Sequence, residues 1–195
     1  MIINNYVLGY FILVAGTLSI IDFSRMIKKI FINSQLKQLI YNLFFIIYIF
    51  SFCSVFFIFS SFLHLKIIFF LLIIICIASD IGGFVFGKII KGPKLTKISP
   101  NKTVSGSVGS ILFASFIAML FFYFISKNIS LEILLIGITT SIGCQIGDLF
   151  VSLLKRKSSL KDSGNYLPGH GGILDRIDGI LLGVPVGFLT LLIFY

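Results

Sequence analysis

Residues 152–178 read SLLKRKSSLKDSGNYLPGHGGILDRID, the longest polar run in a 195-residue chain otherwise dominated by Phe, Ile and Leu. The run holds Lys155, Arg156, Lys157, Lys161 and Arg176 together with Asp162, Asp175 and Asp178. At its centre, Pro168-Gly169-His170-Gly171-Gly172 sets glycines around a histidine. Glycine tolerates φ > 0, so the backbone N–H groups of such a turn can point together and form an anion nest. An apolar helix is expected at once from Ile173, and its N-terminal dipole would face the same spot. Asp175 and Asp178, three apart, share one face of that helix. Cations, a nest and paired carboxylates suit one chemistry: phosphate groups held with a divalent metal.

The chain on either side of this run is apolar. Hydrophobic residues make up 57% of it, charged residues only 12%, and the mean hydropathy is +1.10. No soluble domain of this size needs so much apolar surface. The expected fold class is therefore all-α: a polytopic integral membrane protein with about six transmembrane helices and its active site at the cytoplasmic face. At about 20 apolar residues per span, the helices fall at roughly 5–21, 39–60, 67–86, 107–126, 131–154 and 173–194. Tight turns around His64 and Lys127 make the second and third helices, and the fourth and fifth, antiparallel neighbours. The start, MIINNYVLGY, has no basic n-region, so the first apolar run is expected to be retained. Cys53, Cys76 and Cys144 all fall in apolar segments without metal spacing and read as packing residues.

The net charge of +9 is confined to a few loops, which points to membrane orientation and anionic partners and excludes nucleic-acid binding. Fourteen of the sixteen Lys and Arg residues follow the first, third and fifth spans; only Lys66 and Lys127 lie on the other side. The positive-inside rule then puts the three basic loops in the cytoplasm and both termini outside. Residues 1–66 carry no motif and read as scaffold or dimer contact; residues 67–195 carry the chemistry, with the polar run at 152–178.

Only seven acidic residues exist, so their placement is informative. Asp80 precedes Lys88 by eight residues and Asp148 precedes Lys155 by seven, or about 12 Å and 10 Å of helix. Both aspartates should lie at similar depth under the cytoplasmic face, where the sixth helix begins with Asp175 and Asp178. Four carboxylates would thus converge in one polar cavity. Ionised residues at such depth cost several kcal/mol unless solvated or paired, and a bound Mg²⁺ would make the convergence tolerable.

The polar run resembles the signature of the phosphatidate cytidylyltransferase (CDP-diglyceride synthase) family. The matching residues are Ser152, Lys155-Arg156, Lys161-Asp162, Pro168 to Gly172 and Asp175-Arg176-Ile177-Asp178. A second stretch is similar to the family from Asp80 through Gly82-Gly83-Phe84, Gly87-Lys88 and Ser99-Pro100-Asn101-Lys102-Thr103. Common members continue with Trp-Glu-Gly, where this chain has Val104-Ser105-Gly106. The resemblance covers roughly residues 79–183. It implies transfer of the cytidylyl group of CTP to phosphatidic acid in the bilayer, giving CDP-diacylglycerol and pyrophosphate. It implies Asp148, Asp175, Asp178, Lys155, Arg156 and His170 as catalytic residues, with Mg²⁺ on Asp148 and Asp175. Substrate would be bound by Asp80, Ser99, Lys102, Thr103, Ser152, Lys161, Asp162, Gly169, Gly171, Gly172 and Arg176. The sequence leaves open whether a second cation such as K⁺ joins Mg²⁺ and whether the protein is a homodimer.

Two other readings stand beside this one. A CTP-dependent kinase of a polyprenol or similar lipid alcohol would use the same nucleotide. A small transporter with buried carboxylates would account for the intramembrane aspartates, although it would not need a Gly-His-Gly-Gly turn between Lys-Asp and Asp-Arg.

Overall fold

A computed structural model describes residues 5–127, 130–164 and 171–194, and the long apolar runs within them are helices. In chain order these are α1 (Asn5–Ile30), α2 (Gln35–Ser60), α3 (Leu63–Ile90), α4 (Val104–Ser126), α5 (Leu131–Lys157) and α6 (Leu174–Phe194). Each is long and apolar enough to cross a membrane. In a bilayer every backbone polar group needs an internal partner, which a helix supplies within itself. The protein is an all-α, multi-pass membrane protein.

Several helices outrun their apolar stretches. α1 continues nine residues past Ile21, so Arg25, Lys28 and Lys29, expected in a loop, lie on its last turns, and Lys37 lies in the first turns of α2. α3 reaches Ile90 and α5 reaches Lys157, carrying Lys88 and Lys155 to Lys157. The 26 residues of α1 extend about 39 Å at 1.5 Å per residue, against about 30 Å of hydrocarbon. The apolar run measures the hydrocarbon, whereas the hydrogen-bonded helix continues into the interface. Cations in a last turn also complement the C-terminal dipole.

The chain forms two compact units. The first comprises Met1–Lys66 and Val151–Ile177, the second Ile67–Phe150 and Asp178–Tyr195. In the first, α1 and α2 form an antiparallel hairpin closed by residues 31–34, with the Gln38 side chain donating to the Phe31 carbonyl at 2.7 Å. Phe23 stacks on Phe45 at 3.9 Å between ring centroids and Phe31 on Tyr41 at 5.0 Å. Gly16 lies against Ile49 and Cys53. At the opposite end of the hairpin, Lys66 donates to Asn5 at 3.0 Å. The outer faces of both helices expose large apolar side chains, such as Tyr10 and Phe11 of α1 and Phe44 and Phe50 of α2, as lipid contact requires.

In the second unit, glycines set the helix spacing. A Cβ on Gly82 would lie 2.7 Å from the Gly109 carbonyl, and one on Gly106 would lie 2.8 Å from the Gly83 carbonyl. α3 and α4 therefore touch backbone to backbone through the paired glycines of the SDIGG and SGSVG segments. Lipid tails give helices no hydrophobic reason to associate, so close packing by small residues and interhelical hydrogen bonds does the work. Ser79 and Ser141 share a 2.8 Å hydrogen bond between α3 and α5, and the Gln145 amide donates to the Ser107 carbonyl of α4 at 3.2 Å. α5 and α6 meet at Gly147, which has no room for a Cβ beside the Asp178 carbonyl.

Candidate active site

In the second unit the site is built on the loop from Lys91 to Thr103. An isolated antiparallel bridge joins Lys94 and Thr103. Leu95 N–H donates to the Lys102 carbonyl at 2.8 Å and Val104 N–H to the Pro93 carbonyl at 3.0 Å. Ser99 to Lys102 form a turn, with Lys102 N–H on the Ser99 carbonyl at 3.1 Å and Pro100 at the position where its fixed φ is favoured. Thr103 then caps α4, its Oγ1 accepting from Gly106 N–H at 3.1 Å. Ser105, standing where the resembling family has glutamate, donates to the Lys91 carbonyl and lies 3.1 Å from the Thr103 hydroxyl. It fastens the two ends of the loop.

The loop delivers Lys102 to Asp148 of α5, and the two form an ion pair whose side chains are 27% and 31% exposed. Asp80 of α3 lies within electrostatic reach of both. Gly147 brings this turn of α5 against the backbone of Asp178, whose Oδ1 accepts from Gly179 N–H at 2.8 Å. The second unit therefore groups Asp80, Lys102 and Asp148 about one point.

The first unit holds the other part of the signature. Lys155, near the end of α5, donates to Asp175 Oδ1 at 2.7 Å, with side chains 19% and 11% exposed. Asp175 Oδ2 lies 2.8 Å from Ser163 N, 2.9 Å from Ser163 Oγ and 3.2 Å from Gly172 N. Its place in the first turn of α6 adds the favourable helix dipole. Gly171 has φ +82°, and a Cβ there would sit 3.0 Å from Asp175 Oδ2 and 3.3 Å from Asp162 Cβ. The N–H groups of Ser163 and Gly172 thus converge on the chain's own carboxylate. Arg156, Lys161, Asp162 and Arg176 are exposed around this point, and Ser152 is half-buried. Gly169 and His170, with Pro168, lie outside the described residues.

A model of the cytidylyltransferase family matches residues 1–194. The chain belongs to this family. Among similar proteins, the phosphatidate cytidylyltransferase of Rickettsia bellii (strain RML369-C) is 45% identical over 119 residues, covering 56% of this chain and 51% of that protein. That of Staphylococcus saprophyticus is 44% identical over 110 residues, covering 55% and 42%, and that of Staphylococcus aureus (strain COL) 42% identical over 111 residues, covering 55% and 42%. The chain spans about half the length of the curated relatives it matches.

The predicted residues divide by unit. Asp80, Ser99, Lys102, Thr103, Asp148 and Asp178 belong to the second, and Ser152, Lys155, Arg156, Lys161, Asp162, Gly171, Gly172, Asp175 and Arg176 to the first. Asp148 and Asp175 thus fall in different units, each with its own lysine partner. Mg²⁺ takes hard oxygen donors, commonly one or two protein carboxylates with phosphates and water filling its shell. No group of three or more His, Cys, Asp or Glu side chains gathers as a metal site among the described residues. Asp80 and Asp148, which interact electrostatically, offer carboxylate oxygens of the type Mg²⁺ takes.

One acidic residue escaped the sequence reading. Asp22 of α1 is 1% exposed. Its Oδ2 accepts from Leu174 N–H at 3.1 Å and lies 3.2 Å from Ser163 Oγ, so it binds the first residue of α6 and the serine that holds Asp175. The signal that could have found it is general: an ionisable residue inside an apolar helix marks a functional or paired position by default.

Proposed function

We propose that this chain transfers the cytidylyl group of CTP to phosphatidic acid. A phosphate oxygen of the lipid attacks the α-phosphorus of CTP. The new P–O bond gives CDP-diacylglycerol, and the α–β bridging bond breaks with its electron pair leaving on pyrophosphate. The observation that carries this reading is the oriented Asp175 carboxylate at the α6 N-terminus, held by Lys155, Ser163 and Gly172 in a chain similar over about half its length to proteins named phosphatidate cytidylyltransferase.

The reaction brings two anions together, so charge is its main obstacle. Mg²⁺, which the resemblance assigns to Asp148 and Asp175, would supply the offsetting charge and polarise the α-phosphate. Lys102 and Lys155 each neutralise one of these aspartates in the protein alone. Arg156, Lys161 and Arg176, exposed around Asp175, would hold phosphate oxygens, Arg as a fork and Lys as a point charge. His170 would steady the departing pyrophosphate. The lipid phosphate is already ionised near pH 7, so no strong base is needed. The distribution of Lys and Arg supports a multi-pass arrangement in the cell's inner membrane with these loops in the cytoplasm, where CTP is found. Lipid or a second copy of the chain would cover the outer faces of α1 and α2.

The test is turnover by purified protein in mixed micelles with phosphatidic acid and CTP labelled at the α-phosphorus. Label should appear in a CDP-lipid, with pyrophosphate released. Label left in water-soluble CDP, with a lipid alcohol phosphorylated, would establish the kinase reading. An absence of any CTP turnover would favour the transporter.

A further inference from the structure

Asp22 stands on a helix that carries no signature residue, yet it organises the signature from below. Ser163 has one hydroxyl proton, and its Oγ lies 2.9 Å from Asp175 Oδ2 and 3.2 Å from Asp22 Oδ2. Both distances are within donor range, so the one proton is shared between the two carboxylates, which this serine thereby links. The second tie is the α6 N-terminus, where Leu174 N–H donates to Asp22 Oδ2 at 3.1 Å, one residue before Asp175. The glycines nearby are shaped to this carboxylate. A Cβ on Gly164 would overlap Asp22 Oδ1, and one on Gly172 would overlap both Ser163 Oγ and Asp22 Oδ2. Asp22 Oδ1 is itself buried with no hydrogen-bond partner among the described residues.

Burying a carboxylate with one oxygen unsatisfied is costly, and an apolar residue at that helix position would pack without the cost. A neutral side chain could also have capped α6. What an aspartate adds is an acceptor stiff and strong enough to fix both Ser163 and the first N–H of α6 at once. We propose that Asp22 is a positioning residue for the transfer reaction: through Ser163 and Leu174 it fixes the orientation of Asp175, which makes α1 part of the catalytic apparatus. The inference rests on the transferase reading for its kinetic consequence and on the hydrogen-bond geometry alone for its structural one.

The experiment compares the full chain with Asp22→Ala, Asp22→Asn and Ser163→Ala, with Ser19→Ala as the control. Ser19 is also buried in α1, but its hydroxyl bonds only within the helix, to the Ala15 carbonyl at 2.7 Å. Outer-shell partners of a metal-site residue are typically worth about 10- to 100-fold in activity or metal affinity. Asp22→Ala should lose kcat by that factor and require several-fold more Mg²⁺, with the KM for CTP moving less than about twofold. Asp22→Asn, which keeps an acceptor oxygen but not the charge, should recover part of the loss. Ser163→Ala should reproduce its direction, and the double variant should fall short of the product of the two single losses. Ser19→Ala should move neither kcat nor Mg²⁺ dependence.

Hydrogen–deuterium exchange of the peptide containing Leu174 gives a second readout without substrate or metal. It should exchange faster in Asp22→Ala than in wild type, with α2 unchanged. A kcat within twofold of wild type in Asp22→Ala, or equal losses in Asp22→Asn and Asp22→Ala accompanied by global loss of protection, would overturn the proposal. If Asp22→Ala does not fold, Asp22→Asn and Ser163→Ala decide it: an unchanged Mg²⁺ requirement in Ser163→Ala refutes the link. A wild type that makes no CDP-lipid refutes the transferase reading instead, and the exchange result still decides whether Asp22 holds α6.

Discussion

Replacing Asp175 by asparagine separates its role in the reaction from its role in the fold. The carboxylate meets four donor atoms: Lys155 Nζ at 2.7 Å, Ser163 N at 2.8 Å, Ser163 Oγ at 2.9 Å and Gly172 N at 3.2 Å. An asparagine offers one acceptor oxygen and an NH₂ group. With the oxygen toward Ser163 and Gly172, the NH₂ meets the Lys155 ammonium; reversed, it meets two backbone N–H groups. The first orientation is the cheaper. It breaks one charge-assisted bond, nominally about 1.5–3 kcal/mol, and the partial exposure of the pair brings this to about 1–2 kcal/mol. Thermal unfolding in detergent should therefore shift only modestly. The rate of α-labelled CTP conversion to CDP-lipid should fall at least about a hundredfold, because the proposed Mg²⁺ loses a carboxylate ligand. Large activity loss with small stability loss is the expected signature. Rates within about threefold of wild type and an unchanged Mg²⁺ titration would refute the assignment, and a collapse of the fold in step with activity would reduce Asp175 to a structural ion pair.

Asp148→Asn should lower turnover by a similar factor and weaken Mg²⁺ dependence, while exchanging the charges of Lys102 and Asp148 should not restore it, since the reaction needs the carboxylate on α5. Gly82→Ala would place a Cβ 2.7 Å from the Gly109 carbonyl and 2.7 Å from Phe113 Cβ, so α3 and α4 must part; unfolding should be easier by about 1–3 kcal/mol. For topology, a cysteine at Lys157, which is exposed, should resist a membrane-impermeant reagent added to intact cells and react after lysis. Ser158 is 4% exposed and unsuited to that experiment, and labelling of Lys157→Cys from outside would reverse the orientation.

The fold was largely legible because a bilayer leaves few options. Apolar runs of span length can only be helices, and each of those read from the sequence is one. What hydropathy could not show is where a helix stops. Arg25, Lys28 and Lys29 end the apolar run of α1 without ending its hydrogen bonding, so a chain segment that looks like a loop is two more turns of helix. The loop before α4 was similarly opaque. Nothing in Val104-Ser105-Gly106 announces that Ser105 would tie back to Lys91, or that Gly106 would pack against the Gly83 carbonyl.

Residue types and spacing singled out Lys155 and Asp175, and the structure brings these two together as an ion pair. It was opaque where a residue acts through another. Asp22 is 152 positions from Leu174, and no local pattern links them. Its neighbours mislead, since Arg25, Lys28 and Lys29 a turn or two further on make it look like one more interfacial charge. Depth is the feature that distinguishes it. Those cations lie in the last two turns of α1, at or near the water, whereas Asp22 is fully buried and has no cation within hydrogen-bonding distance among the described residues. A carboxylate so placed must be held by dipoles, and the two that hold it are the hydroxyl that orients Asp175 and the first amide of the helix that carries Asp175. An aspartate serving only to anchor α1 could have used any amide of the loop. The two partners it has are the ones that place the signature carboxylate.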